Sequence, residues 1–135
     1  TKPDDSWDAL NELTENVEKL VEGLGLHYQT VLLAAGDASA AMAKTLDIEV
    51  WLPSMGVYKE VSSVSNAMDY QARRGNVRYK DTETGKNEFV HTLNASGLAT
   101  SRLIPAILEQ FQQADGSVKV PEVLQGYIGK VRIKN

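Results

Sequence analysis

The sequence contains no cysteine, which excludes a disulfide framework and any thiolate metal site. Histidine is scarce as well: His27 and His91 are the two, too far apart for a local zinc motif, so a bound metal would have to be a hard cation on oxygen ligands. No apolar run approaches the roughly 20 residues needed to span a bilayer. The opening Thr1-Lys-Pro-Asp-Asp5 lacks the basic-then-apolar layout of a signal peptide. The expectation is therefore a cytoplasmic chain with no membrane partner. Basic charge is also short, with 14 Lys and Arg against 18 Asp and Glu. The resulting net charge of −4 gives no overall field for gripping nucleic acid, so such a role needs a local patch or another part of the protein. Internal repeats, low-complexity tracts and flexible linkers are absent.

What is present fits one domain. At 135 residues and 42% hydrophobic content, the chain can bury one real core but not two. Ser6 to Leu24 places Trp7, Leu10, Leu13, Val17, Leu20, Val21 and Leu24 three or four positions apart, which predicts an amphipathic helix, with Ser6 as its cap and both tryptophans, Trp7 and Trp51, as core. Tyr28 to Ala35 reads as a strand, and Ile48 to Pro53 and Val57 to Val64 as an antiparallel pair around Ser54-Met-Gly56. Asp69 to Arg74 predicts a short helix. Asn76 to Lys80 and Glu88 to Leu93 flank a polar tip and predict a second hairpin. Gly97 to Gln113 is helical in spacing, with Pro105 kinking it or marking its first full turn, and Pro121 opens a short helical turn after Val118 to Val120. Hairpins of strands with helices early and late predict an α+β fold with a mostly antiparallel sheet flanked by helices.

Two clusters stand out chemically. Strict alternation along Tyr58 to Val64 puts Glu60 and Ser62 on one face, extended by Ser65, so that a carboxylate lies among hydroxyls. The segment Thr92 to Arg102 passes from strand through Gly97 into a helix start carrying Arg102, an arrangement that favours anions because unpaired N–H groups and the helix dipole point the same way. Plainer readings stand beside these. A serine-rich strand face is commonly solvated surface, Asn94-Ala-Ser96 is commonly a cap, a lone arginine is commonly a solvated helix residue, and His91 in a strand reads as a structural histidine.

The order of blocks settles between them by resemblance. Thr1-Lys-Pro-Asp-Asp-Ser-Trp7, Lys44-Thr-Leu-Asp-Ile-Glu-Val-Trp-Leu-Pro53, Tyr58-Lys-Glu-Val-Ser-Ser-Val-Ser-Asn66, Asp69-Tyr-Gln-Ala-Arg-Arg74 and Phe89-Val-His-Thr-Leu-Asn-Ala-Ser-Gly-Leu-Ala99 with Arg102 together resemble the bacterial-type seryl-tRNA synthetase family over essentially the whole chain. The resemblance implies the C-terminal part of a class II aminoacyl-tRNA synthetase catalytic domain over residues 1–135, with the family's third motif. The first two motifs and the tRNA-binding arm are then expected before Thr1, and the 135 residues alone are expected not to form adenylate. It further implies a homodimeric, ATP- and Mg2+-dependent serine–tRNA ligase whose partners are serine, ATP and tRNA(Ser). Residue by residue, Glu60, Val61, Ser62 and Ser63 match a segment bordering ATP, with Glu60 and Ser63 as Mg2+ donors. Asn94 and Ser96 match positions near bound serine, and Arg102 matches the motif 3 arginine that reaches the γ-phosphate; Glu60 and Arg102 are the catalytic pair.

This sequence departs from the family pattern at Ala95 and Ser101, where glycine is usual, across Ala38 to Ala43, and at Leu46, where tyrosine is common. Two rivals remain: a synthetase-like ligase that loads an amino acid onto a carrier protein, and a non-catalytic paralogue kept as a binding module. Retention of Glu60, Asn94, Ser96 and Arg102 together speaks against the second.

Overall fold

The computed structural model describes residues 1–134. Helix α1 (Ser6–Gly23) leads into strand β1 (Tyr28–Leu32), then β2 (Lys44–Leu52) and β3 (Val57–Asn66), a short helix α2 (Tyr70–Gly75), a small ribbon of β4 (Arg78–Lys80) and β5 (Asn87–Phe89), strand β6 (Leu93–Ala95), helix α3 (Thr100–Phe111), and a terminal group of β7 (Val118–Lys119), α4 (Glu122–Ile128) and β8 (Arg132–Ile133). The main sheet runs β1-β2-β3-β6, antiparallel at every step. The predicted α+β class is therefore the observed one.

The sheet has two chemically different faces. Leu46, Ile48 and Val50 of β2 join Val61 and Val64 of β3 to form one face, and α1 lays Leu10, Val17 and Val21 across it while α3 adds Ala106. Each fully buried aliphatic side chain of this kind contributes about 1.5–3 kcal/mol relative to exposure. Leu26 also enters this core, after Gly25 turns the chain at φ +71° with the Phe111 ring 3.5 Å from where a Cβ would stand. The second face carries the polar side chains of the same strands.

Three sequence expectations change in the structure, whereas the interior position of Pro105 is as expected. Ser6 does not cap α1: Asp5 holds that position, and Ser6 lies inside the helix, fully buried. Its hydroxyl donates to the Pro3 carbonyl at 2.9 Å, so the 2.8 Å contact with His91 is made by an Nδ1–H donating to Ser6 Oγ, since a hydroxyl has one proton to give. His91 is thereby a satisfied structural histidine. Trp7 is 42% exposed, not core. The stretch Glu88 to Leu93 is two strands: β5 closes the outer ribbon, whereas Leu93 opens β6 in the main sheet. Pro105 is an interior residue of α3, six positions in, where it cannot hydrogen-bond to the Ser101 carbonyl.

Tyr28 at the start of β1 ties the sheet to α1 by donating to Glu22 at 2.7 Å. That bond, with smaller help from burial and the nearby acids, pushes the phenol up to about 12. The folded chain holds this proton more tightly than the unfolded one. Its contribution is complete below pH 10 and is lost as pH rises through about 12. Tyr28→Phe is therefore expected to unfold at a denaturant midpoint that falls less between pH 10 and 12 than that of the unmodified chain, a comparison that urea titrations at both pH values would decide.

Candidate functional site

A β-bulge organises the site. Ile48 pairs with Ser62 but Glu49 pairs with Glu60, leaving Val61 as the extra residue of β3. Alternation is broken there, so Glu60 and Ser63, three apart in sequence, share a face with Tyr58 and Ser65, opposite Trp51, Glu49, Asp47 and Thr45 of β2. Asn94 joins them through its pairing with Ser65. The expectation that Glu60 and Ser62 share a face is corrected: Val61 and Ser62 are 0% and 1% exposed on the core side, and the Ser62 hydroxyl donates to the Ser96 carbonyl at 2.7 Å. Neither side chain can reach a ligand on the polar face, and the Val61 carbonyl is itself taken by the Ala99 N–H at 2.6 Å.

That last bond sets the start of α3 against β3. Leu98, at φ +81°, reverses the chain between β6 and the helix. The far end of α3 is held by Gln110, whose amide donates to the Trp51 carbonyl and accepts the His27 N–H, both at 2.8 Å. Glu109 accepts the Ser54 N–H at 2.9 Å and its hydroxyl at 2.8 Å. Held at both ends, the helix turns Ser101, Arg102, Pro105 and Glu109 toward the β2–β3 ribbon.

Between ribbon and helix lies a cleft of about 660 Å³, bordered also by Asp47, Glu49, Tyr58, Lys59 and Glu60. Arg102 Nη1 donates to the Glu60 carbonyl at 2.8 Å and lies 3.4 Å from its carboxylate. Both side chains are about half exposed, so this ion pair contributes at most about 1 kcal/mol to stability. Its importance is placement: the backbone carbonyl fixes one guanidinium nitrogen, and the remaining planar donors are available to an anion. Asn94 and Ser96 are exposed and lie outside the cleft lining, Asn94 farther along the same face and Ser96 just past the end of β6.

Asp47 was not legible as a site residue, although the alternation Thr45, Asp47, Glu49, Trp51 already placed it on a polar face. It is only 7% exposed, and its Oδ1 has no hydrogen-bond partner. Burial raises its pKa above the usual carboxylate range, opposed by the Ser63 hydroxyl and by Arg102 and reinforced by Glu60 and Glu49. Tyr58 is steadied by Trp51, edge-on at 5.1 Å between ring centres, and by His27 Nε2 at 2.6 Å from its hydroxyl.

Residues 1–111 match the family model of the tRNA synthetase class II core domain for glycine, histidine, proline, serine and threonine enzymes. The chain belongs to the class II tRNA synthetase core-domain family. Within that family it is 65% identical, over 98% of its length, to serine–tRNA ligase 2 of Clostridium acetobutylicum, and 54% identical over 97% to the serine–tRNA ligase of Desulforamulus reducens. The crystal structure of seryl-tRNA synthetase from Pyrococcus horikoshii complexed with ATP superposes with a TM-score of 0.94 at 43% identity, covering 98% of this chain and 30% of that one. The cytoplasmic serine–tRNA ligase of Naegleria fowleri in complex with AMP superposes at 0.88 and 39%, covering 100% and 33%. The chain spans 31% of the length of each of the two curated relatives. The matched class II core thus supplies β2, β3 and α3, the elements that carry the cleft.

Hard oxygen donors fit a divalent cation here. The cleft lining has four carboxylates, Asp47, Glu49, Glu60 and Glu109, against two cations, Lys59 and Arg102. Among the described residues no three acidic or imidazole groups converge tightly enough to hold a metal alone. That pattern suits magnesium, which takes one or two protein oxygens and completes its shell with phosphates and water. It also means that a polyphosphate cannot enter this cleft favourably without added positive charge.

Proposed function

We propose that these residues are the C-terminal portion of the catalytic domain of a serine–tRNA ligase that activates serine with ATP and transfers it to tRNA(Ser). The supporting observation is the convergence of Glu60 and Arg102 on one cleft in a chain so similar to a synthetase bound to ATP. In this reading the first two class II motifs and the tRNA-binding arm belong to the remaining length of the longer protein, which acts as a cytoplasmic homodimer.

Arg102 binds the γ-phosphate, using donors left over from its bond to the Glu60 carbonyl. Glu60 and Ser63 would hold Mg2+, which would supply positive charge to neutralise the phosphates. Asn94 and Ser96 lie toward serine. The serine carboxylate oxygen attacks the α-phosphorus, the bond to the bridging oxygen breaks, and pyrophosphate leaves with that electron pair; the terminal ribose hydroxyl of the tRNA then attacks the acyl carbon, the bond from that carbon to the phosphate oxygen breaks, and AMP leaves, taking up the hydroxyl proton. Charge neutralisation and alignment accelerate such a step without a protein base. Val61 and Ser62 act on this site only by shaping the bulge that brings Glu60 and Ser63 together.

Serine-dependent exchange of pyrophosphate into ATP tests the reading. The full-length protein is expected to exchange robustly and to charge tRNA(Ser), and the 135 residues alone are expected to be silent. Exchange by the full-length protein followed by transfer to a carrier protein and not to tRNA would replace the acceptor assigned here.

A further inference from the structure

Ser63 can serve as a cation ligand only if its oxygen presents lone pairs to the cleft, and a serine hydroxyl rotates freely unless something claims its proton. Asp47 lies directly opposite Ser63 in the β2–β3 register, on the same face. The Asp47 Oδ1 is buried without a hydrogen-bond partner, and Ser63 is the hydroxyl directly across the strands from it. Across the same pair of strands, the next ligand-side pair is Glu49 with Glu60.

We propose that Asp47 is a positioning residue: its carboxylate accepts the Ser63 hydroxyl proton in a hydrogen bond, so that the Ser63 oxygen faces the cleft purely as an acceptor and, with Glu60, receives the nucleotide-bound divalent cation. The inference rests on the reading of Glu60 and Ser63 as cation donors given above. A hydroxyl has one proton and two lone pairs, so a committed acceptor behind it fixes which way the lone pairs point. Partners that orient a ligand in this manner typically govern metal affinity by about 10–100-fold. Asp47 suits the task because burial at 7% exposure keeps water from competing for the Ser63 proton. The surrounding charges agree: Glu49 and Glu60 add negative charge beside it and Arg102 is the counterion facing it, so a cation between Glu60 and Ser63 relieves carboxylate repulsion.

The test uses the full-length protein with a non-hydrolysable ATP analogue, titrated with Mn2+ and read by the electron paramagnetic resonance signal of the free ion. Asp47→Asn, which can offer an N–H where Ser63 needs an acceptor, is expected to weaken Mn2+ binding about 10–100-fold. Ser63→Ala is expected to do the same, and the double variant to lose little more, because both act through one contact. Thermal unfolding of each variant checks the fold; should Asp47→Asn fail it, Asp47→Glu, which keeps the charge but displaces the acceptor, carries the same expectation. Wild-type Mn2+ affinity in the Asp47 variant, or fully additive losses in the double variant, overturns the role of Asp47 while leaving the nucleotide site standing. Unchanged affinity in Glu60→Gln and Ser63→Ala as well removes the donor assignment underneath it.

Discussion

Replacing Arg102 by alanine in the full-length protein should lower kcat/KM for ATP in serine-dependent exchange by about 10²–10³-fold, equivalent to about 2.7–4 kcal/mol of transition-state stabilisation. The cleft is lined by four carboxylates and only two cations, so removing one cation leaves the departing pyrophosphate facing excess negative charge. Lysine should recover only part of the loss. It restores a charge but not the planar fork that bonds to the Glu60 carbonyl and still has paired donors for phosphate. Stability should change little, because the Arg102–Glu60 pair is half exposed. Measuring exchange across ATP concentrations, with thermal unfolding alongside, checks both halves. Exchange by Arg102→Ala within threefold of the unmodified protein would remove Arg102 from the site.

Ile48→Ala should reduce the unfolding free energy by about 2–5 kcal/mol, a large share of the total for a domain of this size. Ile48 is completely buried under α1, yet its neighbour Asp47 points to the cleft and its own pairing partner is Ser62 at the bulge. The lost side chain would leave a cavity against Val61, whose extra residue keeps Glu60 and Ser63 on one face. Ile48→Val, a single methylene smaller, should cost about 0.5–1.5 kcal/mol. Chemical unfolding of both variants gives the series. A cost below about 1 kcal/mol for alanine would mean that this face is not the packed one.

Much of the molecule was legible because its signals are local. The three- and four-residue spacing of Leu10, Val17 and Val21 is enough to define α1, since any helix with that stripe must bury it. The β2–β3 hairpin and the outer ribbon were readable from alternating runs around turn residues. Ser6 misled because a serine just before an apolar stripe is a good cap in isolation, whereas here Pro3, His91 and Asn66 all meet it from distant parts of the chain or from outside the helix. Leu93 was assigned to the outer ribbon for the same kind of reason: sequence shows an extended run but not which sheet each half joins.

The amino-acid sequence by itself determined the fold class, the early and late helices, the exclusion of disulfide and thiolate chemistry, and, through the order of its motifs, the prominence of Glu60 and Arg102. Tertiary structure alone decided which side chains share a face. Periodicity carries one phase along a strand, and a single unpaired residue, Val61, resets it, so that Ser63 replaced Ser62 on the face of Glu60 and came to stand opposite Asp47. Pairing between strands is a contact between residues far apart in the chain, and only the packed sheet fixes that register.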